Sequence, residues 1–292
     1  MVIYNPSSGK EVVQQNIFQI ARSFLVDEDV SMTFISTKKK GDAIVAAKLA
    51  CSEKYDLIIA CGGDGTINEV VNGIMYSDCK TKLAILPSGT VNDFASYMEI
   101  PTNVAGFTKM LKNKKTIKID VGKANDTYFI NVVSGGAFTN IPHEITSDIK
   151  TIFGKYAYYF QAAIEIPNQI YKSYHLKIES TNQSFDLDAL VFIASNTPSI
   201  GGFKKFSPTA LYNDGLLDIV IIEKTNPLVM LEIFTGMASG DHVNHPNVHY
   251  FKTKELSIKS NDDLTIDIDG EYGFKTPVNI KTINEAIELL VP

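Results

Sequence analysis

The chain has 292 residues, of which 45% are hydrophobic, and its 27 Lys and Arg against 33 Asp and Glu give a net charge of −6. This composition is typical of a globular protein and excludes a disordered or fibrous chain, and the length predicts about two domains. The acidic balance argues against broad capture of nucleic acid, which needs clustered Lys and Arg.

Short apolar runs alternate with helical patterns over the first part of the chain, up to about residue 120. Four of the runs predict strands, at residues 1–4, 32–35, 56–60 and 82–86. Strands that are apolar on both faces need helices on both sides, which indicates an α/β domain with a largely parallel sheet. In such a sheet, ligands bind at the carboxyl ends of the strands.

The most informative segment follows the third of these runs. The strand leads into Gly62, Gly63 and Gly65 and then into a helix, whose apolar residues recur at helical spacing. Glycines allow the backbone to approach an anion, and the N–H groups at a helix N-terminus favour phosphate. Asp64 would repel that phosphate unless a cation such as Mg²⁺ stood between them. The segment predicts a polyphosphate site, with a plain strand-to-helix turn as the open alternative.

The periodicity changes at about residue 170. Apolar and polar residues alternate at 174–179 and again at 264–269, which predicts half-buried antiparallel strands. Further strands are predicted at 189–194, 217–222 and 255–258. Together they indicate a second domain that is mainly β, a β-sandwich. Between the two domains, apolar residues at helical spacing in 150–166 predict a packing helix.

Two segments of the second half are ambiguous from local sequence. Asp269-Gly270 follows an alternating strand and favours a two-residue hairpin turn. Residues 211–216 contain Asn-Asp-Gly, which also forms turns readily, although Asp214 and neighbouring carbonyl groups could bind a hard cation. For both segments the turn and the functional site remain open.

The cysteines and histidines give weak signals for metal sites. Cys51, Cys61 and Cys79 lack the spacing of a zinc site or a disulfide framework, so we expect reduced thiols. His242, His245 and His249 have a spacing that suits zinc, but Pro246 and two asparagines favour a loop.

Two further features concern membranes. The apolar runs are far shorter than the roughly 18 to 20 residues that cross a bilayer, and the N-terminus lacks a basic, signal-like start, which predicts a cytoplasmic protein. The lysines at 38–40 and between 109 and 118 are either solvated faces or a local basic patch that binds anionic lipid.

Five motifs, in order along the chain, resemble those of the diacylglycerol kinase and related lipid kinase superfamily. They are 5–9 (Asn-Pro-Ser-Ser-Gly), 62–69 (Gly-Gly-Asp-Gly-Thr-Ile-Asn-Glu), 86–95 (Leu-Pro-Ser-Gly-Thr-Val-Asn-Asp-Phe-Ala), 119–122 (Ile-Asp-Val-Gly) and 269–271 (Asp-Gly-Glu). NAD kinases and phosphofructokinases share the Gly-Gly-Asp-Gly-Thr element, so the specificity lies in the ordered set. The chain is most similar to the soluble bacterial diacylglycerol kinases, including a stretch at 154–159.

The resemblance implies a fold, a reaction and partners. The fold is an NAD-kinase-like α/β nucleotide-binding domain followed by a β-sandwich domain for the lipid substrate. The implied α/β domain comprises residues 1–121 with a returning segment 278–292, and the implied β-sandwich domain comprises residues 122–277. The implied reaction transfers the γ-phosphate of ATP, with Mg²⁺, to a lipid hydroxyl, most simply that of diacylglycerol. The implied setting is the cytoplasmic surface of the membrane, and the family also allows a homodimer.

The resemblance also implies roles for single residues. Glu271 is the implied general base, and Asp64 belongs with it in the catalytic site. Asp64, Asp93 and Asp120 match acidic positions that link metal and active site. The ligands implied for a structural Mg²⁺ are the carboxylate of Asp214 and the carbonyl groups of Leu211 and Leu216. The residues implied to contact ATP are Asn5, Pro6, Ser7, Ser8, Gly9, Thr37, Gly62, Gly63, Asp64, Gly65, Thr66, Ile67, Asn68, Glu69 and Thr90.

Two alternatives to a lipid kinase remain. An NAD kinase relative would share the glycine loop but phosphorylate a water-soluble dinucleotide, and the motifs at 86–95 and 269–271 disfavour it. A catalytically silent lipid-binding or regulatory module could have the same fold, but it would have no reason to retain Asp64 and Glu271.

Overall fold

The computed structural model describes residues 1–8, 12–25, 30–137 and 172–292. The chain divides into two compact units, of which unit 1 comprises residues 1–119 and 285–292 and unit 2 comprises residues 120–284. Both divisions fall within long strands, β5 (Thr116–Ala124) and β15 (Val278–Leu290). The helix predicted at 150–166, with the 154–159 motif, lies outside the described residues.

Unit 1 is built on a parallel sheet. Its strands are β1 (Val2–Tyr4), β2 (Phe34–Ser36), β3 (Leu57–Gly62) and β4 (Lys82–Pro87), with the adjoining parts of β5 and β15. Hydrogen bonding runs in the order β15, β4, β3, β1, β2, and the pairs along this order are parallel. The four predicted strands and their parallel arrangement are confirmed.

Five helices accompany the sheet of unit 1 among the described residues, and α3 buries the apolar face that the sequence predicts. They are α1 (Val12–Leu25), α2 (Asp42–Ser52), α3 (Asp64–Ser77), α4 (Asp93–Tyr97) and α5 (Val104–Asn113). Helix α3 buries Ile67, Val70 and Ile74. Helices α2 and α3 pack closely, because an added Cβ at Gly73 would stand 2.5 Å from the Cβ of Ala47.

Unit 2 is mainly antiparallel β-structure. Its strands are β6 (Thr127–Phe129), β7 (Val132–Gly136), β8 (Tyr174–Ser180), β9 (Ser184–Ser195), β10 (Leu217–Glu223), β11 (Val248–Thr253), β12 (Glu255–Ser260), β13 (Thr265–Ile268) and β14 (Glu271–Lys275), with the adjoining parts of β5 and β15. The pairing is antiparallel, for example between β8 and β9 and between β9 and β10. The predicted mainly β second domain is confirmed.

Strand β10 shows why some strands of unit 2 are apolar throughout. Its side chains alternate between two hydrophobic clusters: Ile219 and Ile221 belong to one, and Val220 and Ile222 to the other. The second cluster includes residues of helix α6 (Pro227–Ser239). A strand with a core on both faces has no polar face, so its sequence does not alternate.

Cys51 and Cys79 form a disulfide, which contradicts the prediction of three reduced thiols. Cys51 lies near the end of α2, and Cys79 follows α3. The packing of these two helices brings the Cα atoms to 5.6 Å, although 28 residues separate them in the sequence. Spacing along the chain could not reveal this tertiary contact. Cys61 remains a free, buried thiol, and burial raises its pKa.

Candidate active site

The carboxyl ends of β1, β2, β3 and β4 meet at one edge of the parallel sheet, where ligands bind in folds of this kind. Backbone bonds tie the segments that leave the strands. The Asn5 N–H donates to the Cys61 carbonyl (3.0 Å), and the Thr37 N–H donates to the Tyr4 carbonyl (2.9 Å). The edge therefore gathers three of the motif segments predicted from the sequence.

The turn after β1 has the conformation that its sequence predicts. The Ser7 N–H donates to Asn5 Oδ1 at 2.9 Å, so the asparagine side chain closes the turn. Pro6 and Ser7 are exposed there. Gly9, the last residue of this motif, lies outside the described residues.

The loops after β3 and β4 approach each other through glycine. An added Cβ at Gly89 would stand only 2.7 Å from the Cα of Gly63, so no side chain fits there. The Ser88 N–H donates to the Gly62 carbonyl (2.9 Å), and the Ser88 hydroxyl donates to Ser8 Oγ (3.1 Å). Both glycine motifs therefore have a packing requirement for glycine, in addition to any binding role.

Helix α3 begins at this edge. Its first α-helical bond runs from the Ile67 N–H to the Gly63 carbonyl (3.1 Å). The N–H groups of the first turn precede this bond, and in general such groups are not bonded to carbonyl groups of their own helix. With the positive end of the helix dipole, they form an arrangement that can bind a phosphate.

Asp64 is held by the loop that follows β4. Its Oδ2 accepts a hydrogen bond from the Asn92 N–H at 3.0 Å. The Asn92 side chain in turn bonds both backbone groups of Gly89, with Oδ1 accepting from the N–H (2.9 Å) and Nδ2 donating to the carbonyl (2.6 Å). Asn92 itself has a left-handed φ of 50°. Asn92 had no role predicted from the sequence, although it belongs to the Asn-Asp pair of the 86–95 motif.

Glu69 contacts helix α2. Its two carboxylate oxygens accept from the N–H groups of Gly41 (2.8 Å) and Ala43 (3.1 Å). Gly41 is the N-cap residue of α2, and it has no side chain that could accept the N–H groups of the first turn. The glutamate therefore satisfies backbone donors at the start of a neighbouring helix. Its predicted contact with ATP stays a prediction.

Other residues predicted to contact ATP have varied surroundings. Thr37 is buried at the end of β2, whereas Thr90 is exposed in the loop after β4. Ile67 belongs to the buried face of α3. Asn68 Oδ1 accepts from Asn72 Nδ2 one turn further along the helix (3.0 Å).

In unit 2, Asp269 and Gly270 form the turn between β13 and β14. Both have positive φ values, 50° and 83°, so the hairpin alternative is confirmed. The Asp269 carboxylate also accepts three backbone hydrogen bonds, from the N–H groups of Ile130 (2.8 Å), Asn131 (3.0 Å) and Val132 (2.8 Å). Glu271 follows this anchored turn as the exposed first residue of β14.

The Asp214 segment forms a polar cluster with Lys252. Asp214 Oδ2 accepts from Lys252 Nζ (2.8 Å), and its Oδ1 accepts from the Leu216 N–H (3.1 Å). The carboxylate of Asp218 lies 3.5 Å from the same Lys252 Nζ. Burial raises the pKa of Asp218. Lys252 was missed from the sequence, because only tertiary pairing of β10 and β11 brings it here.

Asp120 contacts the same segment. It is fully buried, and its Oδ2 accepts from the Gly215 N–H at 2.7 Å. Its own N–H donates to the Tyr212 carbonyl at 2.7 Å. Asp120 therefore orders the turn that carries Asp214.

The three histidines whose spacing in the sequence suits zinc have different neighbours in the structure. His249 pairs with Glu223 (2.7 Å), and His245 lies 3.7 Å from Glu232. His242 is buried, and burial lowers its pKa. The part of the chain that the structure describes contains no cluster of His, Cys, Asp and Glu arranged as a metal site.

Three lysines of the 109–118 group contact other groups of unit 1. Lys118 pairs with Glu285 (3.0 Å), and Lys115 Nζ donates to the Pro292 carbonyl (3.0 Å). Lys112 Nζ lies 5.7 Å from the centre of the Phe24 ring. Across the described ranges, no helix is long and apolar enough to span a bilayer.

Comparisons with known proteins agree with this architecture. The family model described as "Diacylglycerol kinase catalytic domain" matches residues 1–124, and "YegS C-terminal NAD kinase beta sandwich-like domain" matches residues 131–291. Two relatives named diacylglycerol kinase, from Staphylococcus haemolyticus and Staphylococcus aureus, are each 38% identical over 291 residues. The match covers all of this chain and 87% and 91% of theirs.

A solved structure has the same fold. The crystal structure of a diacylglycerol kinase from Bacillus anthracis superposes with a TM-score of 0.82 at 27% identity, covering 100% of this chain and 96% of the other. The predicted combination of an α/β domain and a β-sandwich-like domain is thereby confirmed. On these matches, the chain belongs to the diacylglycerol kinase family and is a lipid kinase that uses ATP.

Proposed function

We propose that this lipid kinase phosphorylates diacylglycerol, transferring the γ-phosphate of ATP to the lipid hydroxyl and forming phosphatidic acid. Relatives named diacylglycerol kinase support this choice of acceptor. The observation that carries the phosphotransfer proposal is the close approach of the Gly63 and Gly89 loops at the N-terminus of α3. Without side chains at these two positions, phosphate groups can approach the backbone donors.

The proposed work of unit 1 is to hold and orient the phosphates. The N–H groups of Asp64, Gly65 and Thr66 donate to phosphate oxygens, and the turn at 5–8 contacts the nucleotide. Gly62 has to stay small, because an added Cβ would stand 2.5 Å from the Cβ of Thr66. Phosphotransfer depends mainly on such positioning and on charge neutralisation, and it requires no protein nucleophile.

Asp64 is the proposed residue for organising Mg²⁺ at the phosphates. The Asn92 N–H fixes the direction of this carboxylate beside the first turn of α3. When bound, Mg²⁺ would supply charge neutralisation on the phosphate oxygens. Without Asp64, the phosphates would keep their backbone donors but lose the oriented carboxylate.

Glu271 is the proposed general base. A carboxylate can accept the proton of the lipid hydroxyl as the hydroxyl oxygen attacks the γ-phosphate, and it is not itself modified. Glu271 is exposed at the start of β14, beside a turn that the Asp269 carboxylate anchors by three hydrogen bonds. A base placed this way has a defined position and an open approach for the substrate.

A structural Mg²⁺ is proposed at Asp214, with the carbonyl groups of Leu211 and Leu216. The donors fit this metal chemically, because all are oxygen atoms. Asp214 and the buried Asp218 share one ammonium group, that of Lys252, so these three groups carry an excess of negative charge. Added Mg²⁺ should raise the melting temperature of the wild type and leave that of Asp214→Asn unchanged. An equal change in the melting temperature of both proteins would show that Mg²⁺ does not bind at this segment.

The acceptor also suggests where the protein works. We place it in the cytoplasm with transient contact to the inner face of the membrane, since its proposed substrate resides in a bilayer. A homodimer is part of the same proposal. Fractionation of cells and sedimentation of the purified protein test the two statements separately.

The decisive experiment is a product assay with labelled ATP and Mg²⁺. The acceptors are diacylglycerol, ceramide and a long-chain base in mixed micelles, together with free NAD. We expect labelled phosphatidic acid from the wild type and little product from Asp64→Asn, which changes a half-buried side chain at the start of α3 and leaves the apolar core intact. Labelled NADP would indicate an NAD kinase. Lipid binding without any product would indicate a silent module.

A further inference from the structure

Among the residues that the structure describes, helix α6 (Pro227–Ser239) packs on unit 2 through one face. Asn226 caps its start, with Oδ1 accepting from the N–H groups of Leu228 and Val229, both at 3.0 Å. Met230, Ile233 and Met237 are buried in the hydrophobic cluster below. These residues recur at helical spacing and account for the attachment.

The opposite face of α6 is also apolar. Leu228 is 75% exposed and Leu231 is 53% exposed. Positions 228, 231, 235 and 238 share one face of the helix, and Leu228, Leu231, Thr235 and Ala238 are all exposed there, with Pro227 beside them. We call these five residues the α6 stripe. Exposed apolar side chains are common singly and in pairs, so the residues around the α6 stripe decide what this face contacts.

Lysines lie at both ends of the α6 stripe. Lys224 precedes the helix and is exposed. Lys204 and Lys205 are exposed in the loop at the other end, where the Phe203 ring packs edge-on against Phe234 at 5.6 Å. The same loop contacts the C-cap residue, because an added Cβ at Gly240 would stand 3.3 Å from the Cβ of Lys205. Among the residues described, no carboxylate forms an ion pair with any of these three lysines.

The acidic side chains around α6 have partners of their own. Glu232, at the margin of the stripe, lies 3.7 Å from His245. Glu223 pairs with His249 at 2.7 Å. Asp241 accepts from the Ser239 hydroxyl at 2.6 Å. The surface therefore combines an apolar centre with lysines at its ends that form no ion pair within the described part of the chain, while the neighbouring carboxylates contact other groups.

This combination fits an anionic bilayer better than a second copy of the chain. An interfacial helix buries apolar side chains at the level of the acyl chains, while flanking lysines meet anionic headgroups. A two-fold dimer through the same patch would bring the basic ends of the two stripes together. The stripe is also small beside the roughly 800 Å² that each partner of a stable dimer buries.

We infer that α6 is a membrane-docking element that places Leu228 and Leu231 in the interface of an anionic bilayer, with Lys204, Lys205 and Lys224 among the headgroups. The inference rests on the proposed function in one respect: a kinase whose acceptor is a bilayer lipid has to reach the bilayer surface. Binding to vesicles can nevertheless be measured without turnover.

The first test is flotation with vesicles of equal parts phosphatidylglycerol and phosphatidylcholine. Leu228→Ser with Leu231→Ser should weaken binding by about tenfold or more, because the apolar contact is lost. The matched control is Val45→Ser with Leu49→Ser on α2, which also removes two exposed apolar side chains (68% and 42% exposed). The control should bind like the wild type. Unchanged melting temperatures establish that both variants fold.

The lysines have their own prediction. Lys204→Gln, Lys205→Gln and Lys224→Gln together should remove most of the preference for phosphatidylglycerol over pure phosphatidylcholine and flatten the salt dependence of binding. A triple variant that keeps the full preference would overturn the role of the lysines.

A spectroscopic test uses the absence of tryptophan from the chain. Leu231→Trp introduces one indole on the stripe, and its emission should shift to the blue on addition of vesicles and be quenched by brominated lipid. Val45→Trp should show neither change. Emission from Leu231→Trp that stays unchanged while the protein floats with vesicles would overturn the inference.

Two activity measurements separate this inference from the proposed function. With a monomeric short-chain diacylglycerol, the Leu228/Leu231 double serine variant should have the turnover of the wild type. With diacylglycerol in vesicles, the same variant should lose its turnover. No turnover of any diacylglycerol by the wild type would refute the proposed function and leave the binding result intact. A wild-type dimer that dissociates in the double serine variant would show that the stripe binds a second copy, and the membrane inference would fail.

Discussion

Asp269 is the side chain on which the position of the Glu271 hairpin depends. It lies in a tight turn, and its two oxygens accept the N–H groups of three consecutive residues, 130–132. Asp267 adds a further bond, with Oδ1 accepting from the Gly270 N–H at 2.9 Å. A buried carboxylate with three backbone donors has its hydrogen-bonding requirement met, and removal of its charge leaves those donors poorly paired.

We expect Asp269→Asn to lower the free energy of unfolding by about 2 to 3 kcal/mol, because an amide has one acceptor oxygen and turns an NH₂ group toward a backbone donor. Denaturant unfolding measures the change. Asp263→Asn is the matched control on the same hairpin, since Asp263 is exposed and pairs with Lys275. The control should change stability by less than about 1 kcal/mol. Equal effects of the two substitutions would contradict the buried anchoring role.

Glu271 provides a second prediction at this scale. Glu271→Gln preserves size and hydrogen bonding but removes basicity, so kcat should fall by roughly 10²- to 10⁴-fold while the affinity for ATP changes little. Steady-state kinetics and nucleotide titration measure the two quantities. Loss of ATP binding together with turnover would place Glu271 at the nucleotide or metal, and full activity would leave only a hairpin turn.

At the scale of elements, α2 and α3 behave as a pair. Glu69 on α3 caps α2, Gly73 on α3 admits Ala47 of α2, and the Cys51–Cys79 disulfide joins the two ends. Helix α3 also carries the Asp64 turn at the edge of the sheet. The orientation of the turn proposed to bind phosphate therefore depends on contacts made along both helices.

Glu69→Ala should lower stability by about 1 to 2 kcal/mol, because two N–H groups at the start of α2 lose their acceptor. Thermal unfolding and the KM for ATP, measured on the same variant, distinguish two roles. A lower melting temperature with KM changed less than about threefold would indicate capping. Unchanged stability with a large rise in KM would instead support the ATP contact predicted from the sequence.

The local sequence pattern was sufficient to predict most of the elements. The apolar runs at 56–60 and 82–86 are strands β3 and β4, because runs this apolar need cover on both faces. The alternation at 174–179 is strand β8, with Leu176 and Ile178 buried and Lys177 exposed. Successive side chains of a strand point to opposite faces of the sheet. Burial on one face therefore appears in the sequence as a regular pattern of apolar residues.

Contacts between distant segments were not predictable in this way. Lys252 reaches Asp214 only through strand pairing, and Cys79 reaches Cys51 only through the packing of two helices. The sequence predicted that Asp269 forms a turn. Its carboxylate also accepts three N–H groups from residues 137 to 139 positions away, and no local sequence pattern predicts this contact. The roles assigned to Asp64, Glu271 and Asp214 relied on the family resemblance, and they remain predictions.

For the molecule as a whole, the disulfide gives the most direct prediction. It closes a loop of 28 residues in unit 1, so its reduction should lower stability by about 3 to 4 kcal/mol through the greater entropy of the unfolded chain. Dithiothreitol should lower the melting temperature of the wild type and leave that of Cys51→Ser unchanged. In a reducing compartment the pair would be dithiol. Titration of three free thiols in the purified, unreduced protein would contradict the crosslink.

The division of unit 1 between the two ends of the sequence also determines the order in which the protein can fold during synthesis. Strand β15 pairs with β4 through Leu289 and Leu83, and Leu289 is fully buried. The ribosome makes β4 early, but it makes this neighbour only after the whole of unit 2 has been synthesised. Until then, β4 has an open edge that can pair with another chain. A nascent chain stalled within unit 2 would therefore expose an incomplete parallel sheet, which is a substrate for chaperones and for aggregation.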